Sequence, residues 1–302
     1  MNDNRDNFAD TTASSSADQY AVFGHPISHS KSPRIHKLFA EQTGQNLMYS
    51  AQDVPADSFK AATDAFFAAG GKGLNCTVPL KELAWNYADR LSEAAEAAKA
   101  VNTLALTADG SILGDNTDGI GLLNDLTVNL QIKLAGTAIL ILGAGGACRG
   151  IVAPLLKQKP ASLVIANRTP ARAHTIADDF KFLGAVDACG YDALPGRCFD
   201  LIINATAASL SGDLPPLPAG LIARNGTCYD LAYANQPTAF VRWGIANGAA
   251  KSVDGLGMLV EQAAEAFYIW RGRRPATAPV IGLLDAERRS ANGNPGLKQS
   301  AD

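Results

Sequence analysis

The first concentrated apolar run, Y-A-V-F-G at Tyr20–Gly24, is short enough to read as a buried strand, and a helix follows from Pro33. A strand is expected near Leu47–Asp53, then a helix whose apolar stripe includes Phe59, Phe66 and Phe67. A buried strand near Gly73–Val78, short helices through Ala98 and the β-rich run V-N-T-L-A-L-T continue the alternation. This predicts one α/β unit over residues 19–117. After a helix near Gly119–Asn129 the alternation resumes. A-I-L-I-L at 138–142 leads into a glycine turn and a helix, followed by L-V-I-A at 163–166, L-I-I-N at 201–204 and T-C-Y-D at 227–230. Such uninterrupted apolar runs predict strands buried on both faces, hence a parallel sheet with right-handed crossovers, over 118–254. Leu256, Leu259, Val260, Ala263, Ala264 and Phe267 then recur at helical spacing, with another helix near Ile281–Arg288. We expect these C-terminal helices, 255–289, to pack back onto the first unit. Residues 1–18 and 290–302 are polar and read as a disordered lead-in and tail.

Composition narrows the class. A chain of 302 residues, 47% of them hydrophobic, suits two domains of roughly 150 residues with a cleft between them. A net charge of -3 with no dense Lys/Arg run gives no field to attract phosphate backbones, so neither nucleic acid nor a membrane surface is an expected partner. The lead-in has no basic start and no apolar core, unlike a signal peptide, and no apolar stretch reaches the roughly 18 residues of a membrane span. Five scattered cysteines without a C-x-x-C pair suggest reduced thiols and a cytoplasmic protein. The four histidines share no ligand spacing, so no metal is expected.

The glycine turn G-A-G-G-A comprises Gly143, Ala144, Gly145, Gly146 and Ala147 and lies between a strand and a helix. There, bare backbone and the positive helix end can grip a pyrophosphate, although a tight turn needs glycine for its dihedrals alone. Cys148 stands where the usual fingerprint has Gly or Ala. The next strand ends in Asn167, Arg168 and Thr169, with Arg172 beyond. An NAD site would carry a carboxylate at this point for the ribose hydroxyls, whereas a guanidinium and a hydroxyl suit a 2′-phosphate and favour NADP.

Three polar clusters follow strands of the first unit: Ser28-His29-Ser30-Lys31-Ser32-Pro33, Asn75-Cys76-Thr77-Val78-Pro79-Leu80-Lys81, and Asn102-Thr103 with Asp115-Asn116-Thr117-Asp118. Ser32 before Pro33 also reads as an ordinary helix N-cap. With H-S-K-S-P, N-C-T-V-P-L-K, V-N-T-L, N-T-D-G, G-A-G-G-A, N-R-T and D-G-L-G-M-L-V-E-Q in that order, the chain resembles the shikimate dehydrogenases over nearly all of residues 20–285.

The resemblance implies an N-terminal substrate domain, a Rossmann-type NADP domain and reduction of 3-dehydroshikimate to shikimate. It implies Lys81 and Asp118 as the catalytic pair, with Ser30, Ser32, Asn75, Thr77, Asn102, Tyr233 and Gln262 around the substrate. Seryl, threonyl and amide groups are what a carboxylated, polyhydroxylated ring requires, and hydride delivery to a ketone requires a cation or proton donor at the oxygen. It also places the nicotinamide against Thr206, Leu231 and Gly255, with Met258 nearby. Here the chain departs from the family, having Thr206-Ala207-Ala208-Ser209-Leu210 where relatives commonly have Thr-Ser and then Gly. Hinges are expected near Asp118 and Asp254, and a monomer or homodimer. A quinate/shikimate dehydrogenase of broader cofactor use and a non-catalytic metabolite sensor are the alternatives. Asn167-Arg168-Thr169 weighs against the first, and the presence of both Lys81 and Asp118 against the second.

Overall fold

The computed structural model describes residues 16–206, 208 and 211–293. Its first sheet uses β1 (Asp18–Gly24), β2 (Leu47–Asp53), β3 (Gly71–Cys76), β4 (Arg90–Leu91), β5 (Thr103–Leu106) and β6 (Ile112–Asp115), in the order β2-β1-β3-β5-β6-β4. β1 pairs in parallel with β2 and β3, but β5 runs antiparallel to both β3 and β6. Around this sheet lie α1 (Ser32–Thr43), α2 (Phe59–Ala68), α3 (Lys81–Tyr87) and α4 (Glu93–Ala98). Phe23, Leu74, Leu80, Val101 and Leu104 are fully buried in its core, each contributing about 1.5–3 kcal/mol of transfer free energy.

α5 (Asp118–Asn124) runs into a single π turn and leads to the second sheet. That sheet has the order β9-β8-β7-β10-β11-β12, from β7 (Ala138–Leu142), β8 (Ser162–Ala166), β9 (Val186–Cys189), β10 (Phe199–Asn204), β11 (Ile222–Asp230) and β12 (Lys251–Val253). Every pair is parallel, and the strand order reverses at β7, as in a Rossmann-type sheet. α6 (Gly146–Lys157), α7 (Pro170–Phe180) and α8 (Ala239–Ala246) supply the crossovers and cover. β7 is legible as a run because four of its five residues are buried. β4, β9 and β12 were not expected, being two to four residues long with polar positions among them.

α9 (Leu256–Arg271) and α10 (Ala278–Gly293) return to the first sheet. Val260, Ala264 and Phe267 of α9 pack with Ile35 and Phe39 of α1 and Leu284 of α10, and the Trp270 indole N–H donates to Leu104 O at 3.0 Å. α9 also crosses α5 at close range. A Cβ on Gly121 would lie 2.7 Å from Gln262 Cβ, so only glycine lets the two helices meet there.

Two expectations need correction. Asp18, placed in the lead-in, opens β1, where it pairs with Leu47 and its carboxylate binds Arg271. The backbone of α10 continues past residue 289 to Gly293; the remainder of the expected tail and residues 1–15 lie outside the described residues. Of the two readings of Ser32, the helix N-cap is not the one seen: α1 begins at Ser32 itself, preceded by Lys31 with no side-chain cap, leaving the Ser32 hydroxyl for other partners. Among the described residues, no helix is long and apolar enough to cross a membrane, and no His/Cys/Asp/Glu group is arranged to hold a metal.

Candidate active site

Both sheets turn their carboxyl edges toward one cleft of about 550 Å³. In the first sheet the loops after β1 and β3 carry Ser30 and Thr77, and α3 opens with Lys81. β5 brings Asn102 to the same edge because its antiparallel course sets Thr103 opposite Asn75. Asp118 is the first residue of α5, where a carboxylate is favoured by the helix dipole.

Lys81 Nζ lies 2.5 Å from Asp118 Oδ2, and the side chains are 28% and 14% exposed, so the ammonium is held yet accessible from the cleft. Asn102 Nδ2 donates to the other oxygen, Asp118 Oδ1, at 2.9 Å. The Gln262 amide is fixed by donation from Nε2 to Leu259 O at 2.9 Å, while Thr117 Oγ1 donates to its Oε1 at 3.3 Å. Burial raises the Tyr233 phenol above its ordinary pKa, keeping it a neutral hydroxyl. Cys76 also lines the cleft, but burial pushes its thiol far up, so it does not supply a thiolate nucleophile.

All nine residues expected at the substrate line this cleft, together with Ala147, Leu231 and Gly255 from the cofactor set. The other expected cofactor residues, namely Gly143, Ala144, Gly145, Gly146, Asn167, Arg168, Thr169, Arg172 and Thr206, lie outside its lining, at the carboxyl ends of β7, β8 and β10 and in the segments that follow.

The glycines there divide by cause. Gly143 has φ 101°, and a Cβ on it would sit 2.8 Å from Thr206 Cγ2, so the fold itself demands glycine. A Cβ on Gly145 or Gly146 would meet nothing within 4 Å. Internal packing therefore leaves these two unexplained, and the open space beside the N-terminal turn of the 12-residue α6 fits a pyrophosphate. Arg168, Thr169 and Arg172 are exposed, and Asn167 Nδ2 donates to Thr169 O at 2.9 Å, shaping the strand end. Among the described residues neither arginine is engaged in an ion pair, which leaves both guanidinium groups available to a phosphate. Thr206 Oγ1 donates to Asn204 Oδ1 at 2.7 Å, and Asn204 Nδ2 to the buried Asp230 at 2.9 Å, so this strand end is internally braced. Of the departing segment, Ala207, Ser209 and Leu210 lie outside the described residues.

Sequence reading missed Tyr49 and His36 and gave Thr103 and Thr117 no role. The Tyr49 hydroxyl donates to Asn75 Oδ1 at 2.6 Å, and its ring stacks on His36 at 4.1 Å between centroids. The one available signal was alternation in β2, where Leu47 and Tyr49 are less exposed than Met48 and Ser50.

Models of the shikimate dehydrogenase substrate binding domain, of shikimate / quinate 5-dehydrogenase and of the shikimate 5'-dehydrogenase C-terminal domain match residues 22–104, 126–211 and 255–284. The chain is 67% identical over 274 residues to the shikimate dehydrogenase (NADP(+)) of Methylococcus capsulatus, covering 91% of this chain and 98% of that one. This chain belongs to the shikimate dehydrogenase family. Two solved structures of similar proteins are an Ael1 enzyme from Pseudomonas putida (TM-score 0.84, 48% identity, 89% of this chain and 98% of that chain) and the shikimate 5-dehydrogenase of Thermus thermophilus with NADP(H) and shikimate (TM-score 0.77, 34% identity, 91% and 99%).

Proposed function

We propose that this chain is an NADP-dependent shikimate dehydrogenase of aromatic amino acid biosynthesis, reducing 3-dehydroshikimate reversibly to shikimate with Lys81 and Asp118 as its catalytic pair. The observation that carries the reading is the 2.5 Å Lys81–Asp118 contact on the wall of a cleft shared with Ala147, the residue that closes the glycine turn. NADPH, when bound, supplies the hydride. Negative charge gathers on the substrate's ketone oxygen, which must also gain a proton to become the product's hydroxyl, and the Lys81 ammonium is the cation and N–H donor positioned to bond that oxygen and lower the barrier. Asp118 holds that ammonium in place through one oxygen, while Asn102 fixes the other.

Ser30 and Ser32 take the substrate carboxylate, and Asn75, Thr77, Asn102 and Gln262 take its hydroxyls, with Tyr233 closing the cleft. Gly145, Gly146 and the start of α6 hold the pyrophosphate, and Arg168, Thr169 and Arg172 the 2′-phosphate. We assign residues 18–117 and 255–293 to the substrate side and 118–254 to the cofactor side. The hinges are at Asp118 and Asp254, the latter held by Arg288 at 2.6 Å. The five cysteines are free thiols, consistent with a cytoplasmic enzyme acting as a monomer or homodimer on small molecules. The test is absorbance loss of NADPH on adding 3-dehydroshikimate, beside the same assay with NADH. Turnover with NADPH is expected; no turnover, or a preference for NADH, refutes the assignment.

A further inference from the structure

Behind the cleft, the polar side chains form a hydrogen-bond chain whose direction is fixed by the backbone. The Asn75 amide donates to the backbone carbonyl of Asn102 at 3.0 Å, and a carbonyl can only accept, so Asn75 Nδ2 is identified and Oδ1 must face Tyr49. The backbone N–H of Thr117 donates to Asn102 Oδ1 at 2.9 Å, and an N–H can only donate, so the second amide is identified as well.

With both amides fixed, every link runs one way. Tyr49 OH donates to Asn75 Oδ1 at 2.6 Å, Asn75 Nδ2 to Thr103 Oγ1 at 3.0 Å, Thr103 Oγ1 to Asn102 Oδ1 at 2.9 Å, and Asn102 Nδ2 to Asp118 Oδ1 at 2.9 Å. The series ends on the carboxylate that binds Lys81. Aligned donors polarise one another, and here they converge on a negative charge. Asn75 spends both amide hydrogens inside the protein, so it faces the cleft as an acceptor for a substrate hydroxyl. Thr103 is 0% exposed and does not line the cleft, yet its hydroxyl joins the two amides.

We propose that Thr103 is a positioning residue: its hydroxyl joins the two amides whose polarity the backbone fixes, holds Asn75 in place toward substrate and braces Asp118 through Asn102, with Tyr49 as the head of the relay. The inference rests on the reading of the cleft as the 3-dehydroshikimate site. Its test compares Thr103→Val, which keeps the shape and loses the hydroxyl, with Thr103→Ser, which keeps the hydroxyl, measuring kcat, both KM values and Tm.

The valine variant is expected to raise the KM for 3-dehydroshikimate about tenfold, the worth of one neutral hydrogen bond, and to lower kcat several-fold. The KM for NADPH should stay unchanged, and serine should restore the substrate constants to within about twofold. A valine variant with wild-type constants overturns the inference, as does one in which both KM values rise, Tm falls and serine gives no rescue. Should valine prevent folding, Tyr49→Phe carries the test by keeping the ring on His36 while removing the first donor. A wild-type substrate KM in that variant overturns the relay. A wild-type protein that does not oxidise NADPH with 3-dehydroshikimate overturns the functional reading, whereas an active wild type matched by the valine variant overturns the relay alone.

Discussion

His36 gives the protein a calculable sensitivity to acid. It sits on α1, 1% exposed, with neither ring nitrogen hydrogen-bonded, against Tyr49, Phe39, Phe267 and Trp270. No group in that shell compensates a positive charge, and burial lowers its pKa from 6.5 to about 3. The folded pKa lies below the unfolded one, so between about pH 3 and 6.5 the unfolded chain binds the extra proton. The contribution is whole above pH 6.5 and is lost as pH falls. At pH 5 an unfolded imidazole is almost entirely protonated, which favours unfolding by about 2 kcal/mol. Replacing the ring by His36→Phe keeps an aromatic on Tyr49 and removes the titration. Urea unfolding of both proteins at pH 7 and pH 5 isolates the effect, because the other groups change alike in each. The exposed His25, His29 and His174 cancel in the difference, as does Asp125, whose carboxyl burial raises and whose pH dependence has the opposite sign. Wild type should lose about 2 kcal/mol more than the variant between the two pH values. Equal losses would refute the argument, since they would mean that the folded imidazole takes its proton without penalty.

Three substitutions test the site itself. Lys81→Ala should lower kcat by about a thousandfold with a modest change in substrate KM, and a variant retaining most of its turnover removes the lysine from the chemistry. Arg168→Ala should raise the KM for NADPH at least about tenfold and leave that for NADH unchanged; equal effects on the two cofactors would show that it does not read the 2′-phosphate. Gly145→Ala should leave Tm within about 2 °C, since its Cβ meets no protein atom, yet raise the KM for NADPH, and an unchanged KM would remove the pyrophosphate from that turn.

Legibility followed burial. β7, β8 and β10 are covered on both faces, so their sequences are continuous apolar runs, and the parallel sheet could be expected from them. β9 and β12 lie at the sheet's edges with too few apolar positions to make a pattern. The glycine turn and Arg168 could be singled out because the roles proposed for them depend on local chemistry at the end of one strand. Lys81 and Asp118 are 37 positions apart, and no periodicity joins them; their pairing came from resemblance. Ser32 admitted two readings for the converse reason, since a serine before proline satisfies local capping rules, and only its place on the cleft wall separates them. Tyr49 and Thr103 were illegible because a relay has no signature other than its geometry.

The difference between the two sheets explains why the polar groups proposed to meet the substrate are concentrated in the first. A parallel strand needs a crossover of a dozen or more residues before it returns, so each carboxyl edge contributes one loop at a time. β5 and β6 instead form an antiparallel hairpin closed by residues 107–111, with Thr103 opposite Asp115. Both ends of that hairpin therefore lie together: Asn102 precedes β5, and Asn116, Thr117 and Asp118 follow β6. Because β5 also pairs antiparallel with β3, Asn75 joins them at the same edge. One reversal of strand direction thus gathers two amides, two hydroxyls and the Asp118 carboxylate within hydrogen-bonding distance, opposite a lysine that the end of β3 delivers through a four-residue loop, 77–80. An all-parallel sheet could supply these groups only from separate loops, each free to move without the others.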